Sequence, residues 1–435
     1  MTGRTKVATV ITRLTAGAGG VALRGAMALD PQRYAVTIVA GGAGLTGERM
    51  VGHDEVVGGA EAVRDAPTGD LLADAHRAGL AVIRVPALVP QLSPQLDRTA
   101  LRVLTDLLGD GRFDLVHTHS AKAGALGRLA AVRAGVGRIV HTYHGFPFHE
   151  FQSAWRRAAY VAVERRLGRS THAFLAVGSS VAAEAVRRGL AAPDRIRTIA
   201  PAVDVVGYPV GMAARGVARR RLGLPAGVRL VGTVGRIDYQ KAPEQWVDAL
   251  ATIRDADVWG VWIGDGPLRE RLLTQVRRRG LADRFRLLGH REDVREILPA
   301  LDVFALASRY EGQPCALIEA VAAGVPVVAT AVNAVPDVVI PGETGLLVPA
   351  QEPPSLGRAI GYLLEHRAEA ARMAARGREL LGERFSPDAL ATVLDEVYRA
   401  DPCVRLPGRH LGERRRSRVL AQPVAPLLAD PAAEL

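Results

Sequence analysis

The stretch LVGTVGRIDYQK (residues 230–241) contains the pattern that decides the fold. It begins with a short apolar run that does not alternate with polar residues, which predicts a strand covered on both faces in a parallel sheet. Gly235 allows a sharp turn after the strand, so Arg236 and Lys241 follow at its carboxyl end, where parallel α/β sheets bind ligands. A rigid guanidinium beside a mobile ammonium favours a diphosphate site; the alternative is a solvated basic loop.

Similar strand-and-helix units precede and follow this stretch. The alternation predicts an α/β protein with two Rossmann-like, doubly wound domains that face a central cleft. The Pro- and Gly-containing stretch 201–225 interrupts the alternation and marks the domain junction. We therefore predict an N-terminal domain over 1–203 and a C-terminal domain over 204–385. We expect a C-terminal helix over 386–401, packed back on the N-terminal domain, and a disordered tail over 402–435.

Composition narrows the class of protein. The 435 residues suffice for two domains, and 48% hydrophobic residues provide for a sizeable core. Two cysteines without metal spacing argue against a disulfide scaffold or a structural zinc site. Neither a secretion signal nor a run of about 18 apolar residues is evident, so we expect a cytoplasmic protein without a membrane span.

The net charge of +11 says little about partners, because nearly all of the basic residues are arginines spread along the chain. They show no recognition motif for nucleic acid, so we expect no nucleic-acid partner. Only three lysines occur, Lys6, Lys122 and Lys241, and each is a candidate for a specific role because a lysine is a compact point charge that arginine does not always replace.

A second motif, SRYEGQPCALIEA (residues 308–320), follows another predicted strand. Pro314 suits the first position of a helix that Gly324 ends, which places Glu311 on the preceding loop and Glu319 inside the helix. Both carboxylates can then accept hydrogen bonds from vicinal hydroxyls of one ligand. The alternative is an ordinary helix acid and a solvated loop acid. In the stretch GDGPLR (264–269), we predict that Asp265 caps a helix with Pro267 in its first turn.

The N-terminal half supplies candidates for the opposite wall of the cleft. The glycines of TAGAGGV (15–21) allow close approach to a phosphate or sugar, or simply form a tight turn. Histidines cluster in DLVHTHSAKAG (114–124) and HTYHGFPFH (141–149), each at the carboxyl end of a predicted strand. No acid or cysteine completes a metal set, so we expect hydrogen bonding to a sugar or acceptor and no metal. Lys122 either binds an anionic acceptor or is a surface lysine.

These features together resemble the retaining glycosyltransferases of family 4, which have the GT-B fold. The resemblance rests on Arg236 with Lys241 five residues later, and on Glu311 with Glu319 eight residues later. The glycine loop and the His119 and His144 regions also fit, and the text over 117–148 is similar to the subgroup of bacterial exopolysaccharide and lipopolysaccharide assembly. Departures are Ala242, where many relatives have Gly, and PAVD at 201–204, where NGVD is usual.

The resemblance implies a metal-independent hexosyltransferase without cofactors. It would move a sugar from a nucleotide donor, by default UDP, to a hydroxyl acceptor such as a lipid-linked or polysaccharide intermediate. It assigns the residues as follows: Arg236 and Lys241 to the diphosphate, Glu319 to the ribose, Glu311 to the transferred sugar, Gly19 and Gly20 to the donor, His290 and Arg291 to the surroundings of the base, His144 to the reacting centre, and His119 and Lys122 to the acceptor.

Three alternatives remain open at this point. A nucleotide-sugar 2-epimerase shares the architecture. The sequence Asp255-Ala-Asp257 is similar to the metal-binding DxD of transferases with another fold. The segment 155–166, rich in arginine and small apolar residues, could lie on an anionic membrane, either as part of a non-catalytic binding protein or as the peripheral anchor of an enzyme on the inner face of the plasma membrane. The alternative, which we favour slightly, is a packed helix of the domain with a basic outer face.

Overall fold

A computed structural model describes residues 3–15, 17–42, 71–146, 153–225, 227–312 and 314–400. The predicted disordered tail over 402–435 lies outside these residues, as does the part of the histidine-rich motif that contains His149.

The N-terminal domain is built on one sheet of seven parallel strands in the order β3-β2-β1-β4-β5-β6-β7. The strand order reverses between β1 and β4, which creates the crevice where such sheets bind ligands. The strands are β1 Thr5–Ile11, β2 Tyr34–Gly41, β3 Ala81–Val85, β4 Leu115–His119, β5 Arg138–Tyr143, β6 Ala173–Ala176 and β7 Ile196–Thr198. The helices between them are α1 Ala18–Ala28, α2 Leu72–Arg77, α3 Pro94–Asp110, α4 Ala121–Arg133, α5 Ala154–Gly168 and α6 Ser179–Arg187.

The C-terminal domain has six parallel strands in the order β10-β9-β8-β11-β12-β13, again with a reversal, between β8 and β11. The prediction of two doubly wound domains is therefore confirmed. The strands are β8 Arg229–Val234, β9 Val258–Ile263, β10 Phe285–Gly289, β11 Val303–Leu306, β12 Val327–Thr330 and β13 Leu346–Val348. The helices are α7 Gly211–Arg221, α8 Pro243–Ala251, α9 Arg269–Arg278, α10 Val294–Ile297, α11 Cys315–Ala322, α12 Pro353–Glu365, α13 Arg367–Arg384 and α14 Pro387–Arg399.

The apolar runs form central strands because both faces of each sheet are covered by helices. Every residue of β4, β5, β11 and β12 is buried. Separate hydrophobic clusters lie on the two sides of each sheet, as a doubly wound arrangement requires. This leaves the strand ends and their loops for the site.

The last helix, α14, crosses from the C-terminal domain to the N-terminal one. Its amino end is capped by Ser386, whose hydroxyl accepts a hydrogen bond from the Ala389 N–H at 3.1 Å. Leu390, Leu394 and Val397 belong to the same buried cluster as residues of β1 and α1. At the crossing, the Val203 N–H donates to the Phe385 carbonyl at 2.7 Å, so the two connections between the domains run side by side.

Two local predictions need correction. Asp265 does not cap α9, which begins at Arg269, because its Oδ1 accepts the N–H of the adjacent Gly266 at 2.7 Å; Pro267 also lies before the helix. Helix α11 begins at Cys315, one residue after Pro314, and ends as predicted with Gly324 in a left-handed conformation at φ 70°.

Candidate active site

The loop between β8 and α8 is held in one conformation by the neighbouring β9 loop. A Cβ atom on Gly264 would lie 2.1 Å from the Gly235 carbonyl oxygen, so only glycine permits this approach. The Ile237 N–H donates to the Asp265 carbonyl at 2.9 Å. Ala242 takes the left-handed conformation at φ 49°, which explains why glycine suits this position before α8. The loop thereby presents Arg236 and Lys241 at the carboxyl end of β8.

Lys241 forms a largely buried ion pair with Glu311, with 2.5 Å between Nζ and Oε1. The Glu311 side chain is only 2% exposed. Its carboxylate also accepts hydrogen bonds from the Ser308 hydroxyl at 2.6 Å and from the Gln240 amide at 3.2 Å. Asn333 accepts the Glu311 N–H at 2.9 Å. Three neighbours therefore donate to the Glu311 carboxylate, Asn333 holds its backbone, and Lys241 is kept beside it.

Arg236, in contrast, is largely accessible. Its guanidinium Nε donates to Asp238 at 2.8 Å, and the side chain is 71% exposed. Asp238 also accepts the backbone N–H of Lys241 at 3.2 Å. The aspartate thus orders both ends of the basic loop, while the outer edge of the guanidinium faces solvent.

Glu319 lies inside α11, next to Arg24 of α1 and Tyr208 of the segment that connects the domains. Burial raises the pKa of the Glu319 carboxyl, and the charge of Arg24 opposes that rise. Burial and the charge of Glu319 both raise the pKa of the Tyr208 hydroxyl. Within the ranges that the structure describes, no hydrogen bond or ion pair reaches the Glu319 carboxylate, so its acceptor capacity is available for a ligand.

A row of neutral histidines forms the facing wall in the N-terminal domain. His119 Nδ1 and His144 Nε2 are 2.9 Å apart and share one hydrogen. The His117 ring lies 4.1 Å from the His119 ring and bonds Thr142 at 2.7 Å and Tyr398 of α14 at 2.6 Å. The row thus continues from the last helix of the chain to the loop after β5.

Burial keeps these histidines uncharged at neutral pH. It lowers the pKa of His117 to about 3 and that of His144 to about 4, and it places the pKa of His119 well below its usual range. The buried Nε2 of His119 has no hydrogen-bond partner among the residues that the structure describes. The wall can therefore donate and accept hydrogen bonds without presenting charge.

The two walls meet at Gly145 and Gly312. A Cβ atom on Gly312 would lie 2.0 Å from the His144 carbonyl oxygen, so this contact requires glycine. A second contact joins the domains where Ser179 donates its N–H to Asp337 at 2.7 Å. The loop that carries Glu311 therefore lies directly against the loop that carries His144.

Gly19 and Gly20 occupy the first turn of α1. A Cβ atom on Gly19 would lie 2.9 Å from the Arg13 carbonyl oxygen, and one on Gly20 would lie 3.2 Å from the Arg24 guanidinium. This first turn contains no acidic residue, so the amide dipoles at the helix start are not offset by a carboxylate. The turn suits an anionic or hydroxyl-rich ligand.

Other predicted residues lie at the margin of this arrangement or away from it. His290 and Arg291 follow β10, two strands from β8, and Arg291 forms a paired contact with Asp293 at 2.7 Å. Lys122 is paired with Asp97 at 2.5 Å and is 12% exposed, so acceptor binding by Lys122 stays a prediction. Asp255 is bonded to Arg229 before β9, at the sheet edge opposite the site.

Sequence reasoning missed Arg24, Tyr208 and Tyr398. Arg24 follows Gly20 by one helical turn, a spacing that places both on one face of α1, so this residue could have been found. Tyr208 and Tyr398 have no such signal, because the first lies in the irregular connection and the second reaches His117 across 281 positions of sequence.

Two features, a cluster of metal ligands and a membrane-spanning helix, are not found in the part of the chain that the structure describes. No group of three histidine, cysteine, aspartate or glutamate side chains there is arranged to hold a metal ion. Among the helices described, none has the length and apolar character needed to cross a membrane.

Comparisons with known proteins agree with this architecture. A model described as glycosyl transferases group 1 matches residues 215–380, and one described as glycosyltransferase family 4 matches residues 16–206. The chain is 32% identical to the UDP-Gal:alpha-D-GlcNAc-diphosphoundecaprenol alpha-1,3-galactosyltransferase of Escherichia coli, over 61% of this chain and 69% of the relative. It is also 32% identical to a D-inositol 3-phosphate glycosyltransferase of Streptomyces scabiei, over 67% and 68%.

The fold is also found among solved structures. The crystal structure of HepE from Anabaena in complex with UDP-glucose superposes with a TM-score of 0.74, over 91% of this chain and 99% of that chain, at 19% sequence identity. This match extends the agreement in fold over both domains.

Proposed function

The chain belongs to the family 4 glycosyltransferases with the GT-B fold, and on that premise we propose that it moves a sugar from UDP to a hydroxyl acceptor with retention of configuration. The enzyme class and the use of a nucleotide-sugar donor follow from membership of the family. We propose, in addition, the nucleotide base, the stereochemistry, the acceptor and the role of each residue.

The proposal is supported by the difference between the two walls of the cleft, one with charged side chains and the other with neutral histidines. Arg236, Lys241 and Glu319 lie on loops and a helix at the carboxyl ends of β8 and β11, and the neutral pair His119–His144 lies opposite. The contact of Gly312 with the His144 carbonyl brings these walls together. A charged diphosphate and an uncharged sugar need this combination of a cationic and a neutral surface.

On the donor side, we propose that Arg236 and Lys241 bind the diphosphate and that Glu319 accepts hydrogen bonds from the ribose hydroxyls. Breaking the glycosidic bond to phosphate leaves extra negative charge on the diphosphate, and fixed cations offset that charge most strongly in the transition state. The Glu311 carboxylate keeps Lys241 in place through Oε1, and its Oε2, which among the described residues accepts only the Gln240 amide, can accept a further hydrogen bond from a sugar hydroxyl. His290 and Arg291 would flank the base.

On the acceptor side, we propose that His144 orients the attacking hydroxyl and that His119 fixes the ring of His144. The segments 115–124 and 138–146 around this wall contain no aspartate or glutamate, so they offer no carboxylate nucleophile for a double displacement. This favours attack on the face from which the diphosphate leaves, which retains the configuration. We propose that no metal takes part, since two cations of the chain already face the diphosphate.

The two relatives act on different acceptors, according to their names. The Escherichia coli relative takes an undecaprenol-linked sugar diphosphate, and the Streptomyces scabiei relative takes an inositol phosphate. We propose a lipid-linked acceptor, because an uncharged histidine wall suits a sugar hydroxyl better than it suits the charged phosphate of an inositol phosphate.

A screen of nucleotides and nucleotide sugars by thermal shift tests the proposal, with Arg236→Ala beside the wild type. Arg271→Ala, an exposed arginine of α9, is the matched control. UDP and UDP-sugars should raise the melting temperature of the wild type and of the control and should stabilise Arg236→Ala far less. An equal response of Arg236→Ala and the control would remove the diphosphate site from this loop.

Product analysis tests the chemistry itself. Transfer should persist in EDTA, and the anomeric coupling of the product by NMR should show the configuration of the donor. A trapped covalent glycosyl-enzyme, or inversion of configuration, would overturn the proposed mechanism. Conversion of the nucleotide sugar in the absence of any acceptor would favour the epimerase alternative.

A further inference from the structure

The outer surface of α4 and α5 exposes apolar side chains that the N-terminal domain does not cover. Trp155 is 69% exposed, Val163 is 52% exposed and Val132 is 51% exposed. Trp155 and Val163 lie two helical turns apart on the same side of α5, and the alanines between them are also exposed. We call these three residues, with Arg156 and Arg166, the α4–α5 face.

This face contains no negative charge. Helices α4 and α5 together contain a single acidic residue, Glu164. Glu164 is buried, and both of its oxygens accept hydrogen bonds from the fully buried Arg128, at 2.9 and 2.8 Å. The exposed arginines of the face, Arg156 and Arg166, therefore have no carboxylate on either helix to offset them. The chain has 44 other acidic residues, and none of them lies on α4 or α5.

The combination of side chains distinguishes between anionic partners. Arginines alone would suit any polyanion, but apolar side chains interleaved with them gain free energy only where hydrocarbon is near. Trp155 lies beside the Arg156 guanidinium, which is 5.3 Å from the indole ring. An indole next to a cation is the pairing that membrane interfaces favour, since one part meets lipid and the other meets headgroups. The mixture favours a lipid surface over nucleic acid.

We propose that the α4–α5 face binds the surface of an anionic lipid bilayer. Each arginine near such a surface strengthens binding, and the apolar side chains add a contribution that salt does not screen. Helix α5 would lie in the plane of the interface, with Trp155 inserted among the headgroups.

The position of the face relates it to the cleft. Helix α5 follows β5, so its first residues, including Trp155, lie at the edge of the sheet where β5 ends and His144 begins the next loop. A bilayer at this face would therefore hold a lipid-linked acceptor with its sugar near His144. This second step rests on the proposed function, whereas bilayer binding does not.

Flotation of the full-length protein with lipid vesicles tests the proposal. Vesicles of phosphatidylcholine alone are compared with vesicles that also contain phosphatidylglycerol, each at low and at high salt. The wild type should float with the anionic vesicles and lose a large part of its binding at high salt. Arg156→Glu/Arg166→Glu should bind them at least about tenfold more weakly, and Trp155→Ala should bind several-fold more weakly at both salt concentrations.

Arg271→Glu/Arg278→Glu, on α9 of the other domain, changes the net charge by the same amount and should float like the wild type. Trp155 supplies a second signal, because its fluorescence should be quenched by brominated lipid, whereas Trp246 and Trp262 are buried and the half-buried Trp259 lies on β9 of the other domain. Trp155→Ala should therefore lose the quenching. Equal loss in both double variants, or equal flotation with the two kinds of vesicle, would overturn the proposal. So would an arginine-dependent affinity for an oligonucleotide that exceeds the affinity for vesicles.

The same variants separate this proposal from the proposed function. Arg156→Glu/Arg166→Glu should retain the thermal shift with UDP and its transfer to a detergent-solubilised acceptor. Glu319→Ala should float normally and lose the response to UDP. If flotation fails while UDP stabilises the protein, only the membrane proposal is lost; if UDP has no effect while flotation succeeds, only the proposed function is lost.

Discussion

The two walls of the cleft differ in whether their side chains carry charge. In the C-terminal domain, charges are kept at the site: Lys241 is paired with Glu311 at 2.5 Å, and Arg236 is paired with Asp238 while its outer edge remains exposed. In the N-terminal domain, charge is removed: burial lowers the pKa of His117 and of His144 so far that both rings are neutral at physiological pH.

This difference teaches how one cleft can separate two tasks. A diphosphate needs permanent countercharge, and a carboxylate partner keeps each cation in place without neutralising all of its donors. A hydroxyl nucleophile needs an oriented neutral group, since a protonated imidazole could not accept its hydrogen bond. The following predictions test whether the two walls are as distinct as their charges suggest.

The largest expected effect is on the cationic wall. Lys241→Ala should lower kcat/KM by about 10²–10³-fold, because a fixed cation that offsets charge in the transition state is lost. The measurement is initial-rate kinetics with the nucleotide sugar found in the screen. Lys6→Ala, an exposed strand lysine, is the matched control and should keep wild-type kinetics.

A companion variant excludes a trivial cause of that loss. Lys241→Ala leaves the buried Glu311 carboxylate without its cation, which by itself destabilises the loop. Lys241→Ala/Glu311→Gln removes that uncompensated charge and should recover melting temperature, while its activity should stay well below that of Glu311→Gln alone. Recovery of both would mean that Lys241 serves the fold and that the diphosphate is bound elsewhere.

The next effect concerns the ribose. Glu319→Ala should weaken UDP binding by about 10²-fold, since hydrogen bonds from two hydroxyls to a charged acceptor are lost. Isothermal titration calorimetry measures the change, and Glu365→Ala at the exposed end of α12 is the control. Because burial raises the pKa of Glu319, wild-type affinity should also fall as the solution is acidified, and the Gln variant should lack that dependence. Unchanged affinity in Glu319→Ala would contradict the assignment.

The cationic wall could be predicted from sequence because its parts are local. Arg236 and Lys241 lie on one short loop, and Glu311 and Glu319 lie eight residues apart around a helix start that Pro314 and Gly324 mark. Motif spacing and strand ends therefore sufficed to place all four at one sheet edge. What the sequence did not reveal is that Lys241 is paired directly with Glu311, because ion pairs depend on side-chain packing between two loops.

The neutral wall could be predicted only in part. The histidines were found at strand ends, and their joint location followed from the parallel sheet. The arrangement of the rings in one row could not be predicted, since His117 is fixed by Tyr398 of a helix that crosses from the other domain. Lys122 shows a further limit: its ion pair with Asp97 of the adjacent α3 depends on packing between two helices, and acceptor binding by this lysine stays a prediction.

A third prediction tests the neutrality of this wall through pH. The folded pKa of His117, about 3, lies below its unfolded value of 6.5, so between these values the unfolded chain binds a proton that the folded chain does not. The contribution is fully present above pH 6.5 and is lost as the pH falls towards 3. Lowering the pH from 7 to 5 should therefore cost about 2 kcal/mol of unfolding free energy through this residue.

His117→Gln isolates that contribution. Urea titrations at pH 7, 6 and 5 should show a shallower decline in the variant than in the wild type, by about the amount for one proton. His366→Gln, on an exposed part of the C-terminal domain, should leave the decline unchanged. Parallel declines in wild type and His117→Gln would mean that the ring is protonated in the folded protein, and the contrast between the walls would fail.

The smallest expected effect is on the link between α14 and the neutral wall. Tyr398→Phe removes one hydroxyl, which lies 2.6 Å from His117 Nδ1, and keeps the ring that packs against it. We expect a loss of about 1 kcal/mol of unfolding free energy. We also expect a several-fold decrease in kcat with KM for the donor unchanged. The reason is that the hydroxyl holds His117, and so positions His119 and His144, without touching the donor. Tyr362→Phe, at a solvent-accessible hydroxyl bonded to Glu369, is the control for removing a tyrosine hydroxyl.

A matching decrease in kcat with that control, or a rise in donor KM with Tyr398→Phe, would show that the row of histidines does not transmit position from α14 to the reacting centre. A selective decrease in kcat would extend the acceptor wall to the last helix of the chain, so that the segment which ties the two domains together would also set the geometry of the attacking hydroxyl.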